Sequence, residues 1–246
     1  MFSAFARIPE TQQSAEDWWP MFHHDLTHIG YSTSTAPVTN QTLWSYTTGA
    51  YVESSPAIAN GVVYVGSEDG NVYALKATTG KLLWNYNASV GVPSSPAIAN
   101  GMVYVGSFDD NVYALNATTG AQIWNYTTGN WVTSSPAVAS GVVYIGSWDD
   151  KVYALNDTTG AQIWTYTTNN ETSSSPAVAN GVVYVGSVDG KVYAFGSSEA
   201  SQLSSSPSPP PSVPEFPSWM ILPLLIAAAL LILMVIKKNW LSKNKM

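Results

Sequence analysis

Apolar and polar positions alternate along this chain in short runs, with no helical stripe before Ala200. Stretches such as "VVYVGS", "NVYAL" and "QIWNYTT" are rich in β-branched and aromatic residues, and each is closed by a turn sequence: "NG", "EDG", "ATTG". Alternation of this kind predicts half-buried strands, and Asn, Asp and Gly supply the positive φ angles of tight turns. The stretches recur in a fixed order. A unit beginning "SSPAIANGVVYVGSEDGNVYALKATTGKLLWNY" at Ser54 is rewritten from Ser94 and Ser134, and stops early in a fourth copy from Ser174. The period is 40 residues, marked by Pro56, Pro96, Pro136 and Pro176 and by Trp44, Trp84, Trp124 and Trp164.

Each unit predicts four strands, and a period near 40 with four strands per unit is the signature of β-propeller blades. The expected fold is therefore all-β: a propeller of about four four-stranded blades. Its phase is offset, since a fourth-type strand around Trp44 precedes the first full unit and the last unit ends on a third-type strand. The Trp44 strand is expected to complete the sheet built from Ser174–Phe195, removing a loose edge. A closed ring of four, two chains pairing as a homodimer of four plus four, and an open arc all satisfy the count.

The unit resembles the repeat of the pyrroloquinoline-quinone-like (PQQ-like) propeller family, whose docking motif runs Ala-x-Asp-x-x-x-Gly-x-x-x-Trp. Ala74, Gly80 and Trp84 fit it, as do Ala114, Gly120 and Trp124, and Ala154, Gly160 and Trp164. The Asp position instead holds Lys76, Asn116 and Asn156. The resemblance implies that these tryptophans pack between neighbouring blades, and that the usual ring has more blades than the four found here. It also brings in two functional precedents, quinoprotein dehydrogenases and envelope assembly scaffolds. The dehydrogenases use a catalytic Asp, a calcium ion and often a vicinal Cys pair. This chain has no cysteine, and no catalytic residue, metal or cofactor is assigned to it; fold alone does not carry function.

Charge narrows the partners. Residues 1–200 hold five of the nine Lys and Arg but 15 of the 16 Asp and Glu, and an acidic body is unsuited to nucleic acid. The turn carboxylates Asp69, Asp109, Asp110, Asp149, Asp150 and Asp189 read as turn chemistry, with a weak cation rim as the sharper alternative. His23, His24, Asp25 and His28 are the other metal candidates. They lie in "WWPMFHHDLTHIGYS", a segment that resembles the family's usual lead into the first strand.

The chain is expected to divide into a leader remnant (1–17), the propeller (18–197), a Ser/Pro-rich linker (198–217), a transmembrane helix (218–236) and a basic cytoplasmic tail (237–246). The stretch "SWMILPLLIAAALLILMVI" is 19 residues without a charge. At about 1.5 Å per residue that is close to the thickness of a bilayer core. The lysines after it place the propeller on the extracellular side. Pro214, Glu215 and Phe216, ahead of that stretch, resemble the archaeal PEF-type C-terminal sorting signal. Six sequons, at Asn40, Asn87, Asn116, Asn125, Asn156 and Asn170, are candidate glycosylation sites. The expectation that unites these features is a non-enzymatic, membrane-anchored surface module binding a protein or glycan. A reduced quinoprotein oxidoreductase and an assembly-factor-like scaffold are the alternatives.

Overall fold

A computed structural model describes residues 20–24 and 37–196. The repeats build β1 (Ala57–Ala59), β2 (Val62–Gly66), β3 (Asn71–Lys76) and β4 (Leu82–Asn87), then β5 (Ala97–Ala99), β6 (Met102–Gly106), β7 (Asn111–Asn116) and β8 (Gln122–Thr127). They continue with β9 (Ala137–Ala139), β10 (Val142–Ser147), β11 (Lys151–Asn156) and β12 (Gln162–Thr167), and end with β13 (Ala177–Ala179), β14 (Val182–Gly186) and β15 (Val192–Phe195). Every repeat is its own antiparallel meander, with strands neighbouring in chain order. The described residues contain no helix, as the period-2 pattern predicts.

Local chemistry fixes each hairpin. Asn60 and Gly61 both take positive φ, 51° and 70°, and so do Ser140 and Gly141, 50° and 80°, which is the two-residue turn whose twist matches the flanking strands. The inner strands are only three residues long because Pro56 and its counterparts have no N–H to give to a ladder. In the outer hairpin the register shifts between Ala74 and Leu75, so that Ala74 faces Trp84 while Leu75 faces Leu82. Leu83 is the extra residue of this bulge and points outward; Ile123 and Ile163 repeat it. The bulge re-aims the chain so that the tryptophan turns into the seam.

The core lies in the seams between blades. One face of each sheet, such as Ala57, Tyr64, Val72 and Ala74, packs against Val103, Val105, Tyr113 and Leu115 of the next. Trp84 docks on the following blade: its Nε1–H donates to Ala117 O at 3.0 Å, and Trp124 does the same to Asp157 O at 2.8 Å. A serine ladder stitches the inner strands, with Ser55 N–H donating to Ser95 Oγ, Ser95 N–H to Ser135 Oγ and Ser135 N–H to Ser175 Oγ, all within 2.8–3.0 Å.

The fourth sheet differs from the expectation. It has three strands, β13–β14–β15, and residues 41–48 do not complete it. Those residues form no strand; they lie against the first blade, where Trp44 Nε1–H donates to Ala77 O at 2.8 Å. What fails is pairing with β15, not the seam. A tryptophan of this repeat seats on the glycine 36 residues later, and Trp44 finds Gly80 in just this way. Residues 41–48 therefore hold the place of a fourth strand ahead of the first blade, while β15 is left without one. The leader, linker, transmembrane and tail assignments, and Asp25, His28, Pro214, Glu215 and Phe216, fall outside the described residues.

Candidate binding surface

The nine motif residues all serve the seams. Ala74, Ala114 and Ala154 are fully buried opposite Trp84, Trp124 and Trp164. Gly80, Gly120 and Gly160 have φ of 66–73°, and a side chain on them would meet the tryptophan of the preceding blade: 2.5 Å from Trp44, 2.6 Å from Trp84, 2.7 Å from Trp124. Each glycine therefore both makes the turn and floors the indole pocket. Where the motif carries Asp, Asn116 Oδ1 accepts from the N–H groups of Thr118 and Thr119, and Asn156 Oδ1 from those of Thr158 and Thr159. Asn thus supplies the same turn cap that Asp would.

The turn carboxylates also have a specific task that their sequence did not reveal. Asp69 Oδ2 accepts from Tyr73 Oη at 2.7 Å and from Gly49 N–H at 2.6 Å, while Oδ1 accepts from Asn71 N–H. Asp149 does likewise for Tyr153 and Gly129, and Asp189 for Tyr193 and Asn169. Asp109 accepts from Tyr113. Each carboxylate clamps the tyrosine four residues on, and three of the four also clamp the connector 20 residues back. Asp110 and Asp150 sit beside them at φ 67°, in the place of Gly70 and Gly190. No trio of metal-ligating groups is gathered among the described residues.

These clamps predict a two-sided pH profile. Burial pushes Asp69 up, but donors from Tyr73, Gly49 and Asn71 outweigh it and leave its pKa lowered. Asp189 is lowered to about 2, first by the Tyr193 hydroxyl. Burial, then the hydrogen bond to Asp69 and its charge, push Tyr73 up to about 12. A lowered acid stabilises the fold above its unfolded pKa, near 3.8, and that contribution fades as pH falls. The tyrosine contribution is complete below pH 10 and is lost as pH rises through about 12. The denaturation midpoint in urea is expected to be flat between about pH 5 and pH 9 and to fall on both sides. Asp69→Asn should lower the plateau and flatten the acid limb.

Of the two histidines described, His23 stacks on Phe22 with ring centroids 3.9 Å apart, and both have positive φ. Met21 beside them is buried in the seam of the second and third blades, and Ile98 N–H donates to Pro20 O. Residues 20–24 thus pack as a strap on the inner strands. Of the six sequons, Asn40, Asn87, Asn125 and Asn170 are exposed, whereas Asn116 and Asn156 are half-buried turn caps.

The surface that breaks the repeat lies where the β2–β3 type of turn meets the connector between blades. Four backbone bonds tie this end together in register: Glu68 N–H to Tyr51 O, Phe108 to Gly91, Trp148 to Trp131 and Val188 to Glu171. The fold therefore accepts Glu, Phe, Trp or Val in the turn and Tyr, Gly, Trp or Glu in the connector. The first blade has a lone aromatic there, Tyr51, 80% exposed, whereas the second and third blades bring three into one stack. Phe108 packs on Trp131 with centroids 4.8 Å apart, and Trp131 on Trp148 at 5.1 Å. Trp148 Nε1–H is held by Thr133 Oγ1 at 2.9 Å, which fixes its ring, and Trp131 stays 43% exposed. Glu68 lies against Gly91 and Phe108 at the edge of this stack; burial and the nearby Glu53 push its pKa up. The three aromatics are far apart in sequence, and the one trace they leave there is their departure from the other copies at positions 108, 131 and 148.

The repeat and its fold are shared with known proteins. The sequence pattern of the PQQ_2 family, described as outer membrane protein assembly factor BamB, matches residues 33–130 and again 109–214. This chain belongs to the PQQ_2 family. No curated protein matches it. Among solved structures, the PQQ_2 chain is similar to BamB from Moraxella catarrhalis, with 25% identity and a TM-score of 0.57 over 63% of this chain and 49% of that one. It thus spans about half the length of that relative. It also resembles the computationally designed Ika4 protein, at 19% identity and TM-score 0.59, over 64% of this chain and 99% of that one. A third likeness is to the quinohemoprotein alcohol dehydrogenase from Comamonas testosteroni, at 22% identity and TM-score 0.61, over 69% of this chain and 35% of that one. The last two similarities are of fold. Together the likenesses span an assembly factor, a designed protein and an alcohol dehydrogenase.

Proposed function

We propose that this PQQ_2 protein is a non-enzymatic binding module, held at the membrane surface, that engages a protein or glycan through the Phe108–Trp131–Trp148 stack. One observation carries the reading: Phe108, Trp131 and Trp148 meet in one stack where the second and third blades depart from the other copies, and Trp131 keeps 43% of its surface exposed. At the equivalent positions the first blade folds with Glu68 and Tyr51 and the fourth with Val188 and Glu171, so this stack is not demanded by the scaffold. Tryptophan anchors with one exposed face and a fixed ring are what interfaces use to bury area at low entropy cost. Acidic Glu53, Glu68 and Glu171 flank this end, so the favoured partner is neutral or basic.

The surface placement is supported by sequence alone: the Ser/Pro linker, the uncharged 19-residue stretch and the lysines after it. Among the described residues no helix is long and apolar enough to cross a membrane. The family's description as an assembly factor favours a scaffold, and the clamped carboxylates are occupied in structural bonds.

The test is to probe an array of envelope glycans and surface proteins with the full chain and with Trp131→Ala. At least one ligand should bind the parent and lose about tenfold or more in the variant, the effect of removing one aromatic anchor. Unfolding free energy should fall by about 1–3 kcal/mol, the worth of the two aromatic pairs that Trp131 makes. Substrate turnover abolished by a propeller substitution would overturn the proposal.

A further inference from the structure

The seams inside the chain follow one rule, and both ends of the described array are left ready for another. At the first end, residues 41–48 present Trp44 and Tyr46 to the first blade, with Tyr46 and Tyr73 centroids 5.5 Å apart. Their outer edge pairs with no strand among the described residues. At the last end, β15 pairs with β14 alone. Val192 is 77% exposed, whereas Val72, Val112 and Val152 at the same position are fully buried, and Tyr184 is 43% exposed where Tyr64 and Tyr104 are buried. The serine ladder stops at Ser175, and among the described residues no serine N–H reaches Ser55 Oγ. An open groove of about 540 Å³, lined in part by Trp164, Tyr166 and Phe195, runs along the same unfinished edge.

The two loose ends match in residue type as well as in place. In the third blade, β11 and β12 pair Lys151 with Thr167, Val152 with Tyr166 and Ala154 with Trp164. Moved on by one repeat, the β15 side reads Lys191, Val192 and Ala194, and residues 41–48 offer Thr47, Tyr46 and Trp44. All three pairs are identical in type. Within one chain these two halves do not meet: β15 pairs with β14 alone, and residues 41–48 form no strand. The four blades span 49% of the related Moraxella chain, so two copies supply the blade content of one such protein.

We propose that the bare face of the fourth blade is a docking surface for a second copy of this chain. The second copy's residues 41–48 add to β15 as its fourth strand, and its first blade covers Tyr184 and Val192. Repeating the contact closes two chains into one ring of eight blades with two identical seams. The contact continues an interface the chain already makes between its own blades, and closure removes both open edges.

Absence of cysteine makes the test clean. Thr47→Cys and Lys191→Cys are introduced separately into the full chain, one variant carrying a mass tag, and the two are mixed in mild detergent and oxidised. The expected product is a disulfide-linked heterodimer, absent from either variant alone. By light scattering the parent should have twice the 26.4 kDa chain mass. Val192→Arg, with an unchanged circular dichroism spectrum, should halve it. A monomeric parent overturns the proposal, and so does a double Thr47→Cys/Lys191→Cys variant that forms its disulfide within one chain. A ladder of longer covalent species from that double variant overturns the two-chain ring.

Discussion

Trp124→Ala is expected to lower the free energy of unfolding by about 3–5 kcal/mol, the range for truncating a buried large aromatic. Trp124 is 7% exposed and lies in the central seam with Tyr104, its ring 5.9 Å away, and above Gly160. Removing it empties a cavity that Val143 and Leu155 cannot fill without moving strands. It also leaves Asp157 O without the indole donor, though Tyr104 Oη still reaches that carbonyl at 3.2 Å. In a repeat array the loss is felt as a broken coupling between neighbours. Urea unfolding should therefore lose its single transition and separate into two. A loss below about 1 kcal/mol with a single sharp transition would mean that the seams are not where stability resides.

Gly120→Ala should cost about 2–4 kcal/mol, from a strained positive φ of 73° together with a methyl group 2.6 Å from the Trp84 ring. Gly101 is the control. Its φ is 75°, but nothing lies within 4 Å of where a methyl would go, so Gly101→Ala should cost only the backbone strain, about 1 kcal/mol. Equal losses at the two sites would show that the motif glycine serves the turn alone. A larger loss at Gly120, relieved in part by Trp84→Leu in the same chain, would show that it also floors the pocket.

The division between shape and recognition explains what the sequence made legible. Period, strand order and hairpin turns were readable because each is local and written more than once; "NG" at Asn60–Gly61 means the same turn wherever it recurs. The seam partner of each tryptophan was readable only in part, since the motif pairs Trp84 with its own Gly80 by eye but with Gly120 in space. The same offset seats Trp44 on the first blade, but a strand count carries no information on whether that segment also reaches β15, and it does not. The Asp–Tyr clamps were hidden because an Asp in a turn already has a sufficient local reason to be there. The stack was hidden for the opposite cause. Phe108, Trp131 and Trp148 meet through turn-to-connector bonds that no local pattern encodes, and aromatic residues are so common in this chain that three more do not stand out. In a repeat protein the informative positions are those where one copy disagrees with the rest.

The most direct test exchanges those disagreements for what the fourth blade itself carries, in the triple variant Phe108→Val, Trp131→Glu and Trp148→Val. The measurement is affinity for the ligand found with the parent chain, alongside the unfolding free energy of both proteins. Loss of binding with stability reduced by no more than about 3 kcal/mol is the predicted result, given that each of the two aromatic pairs contributes about 0.5–1.5 kcal/mol beyond its buried area. Undiminished binding in a folded triple variant would contradict the account.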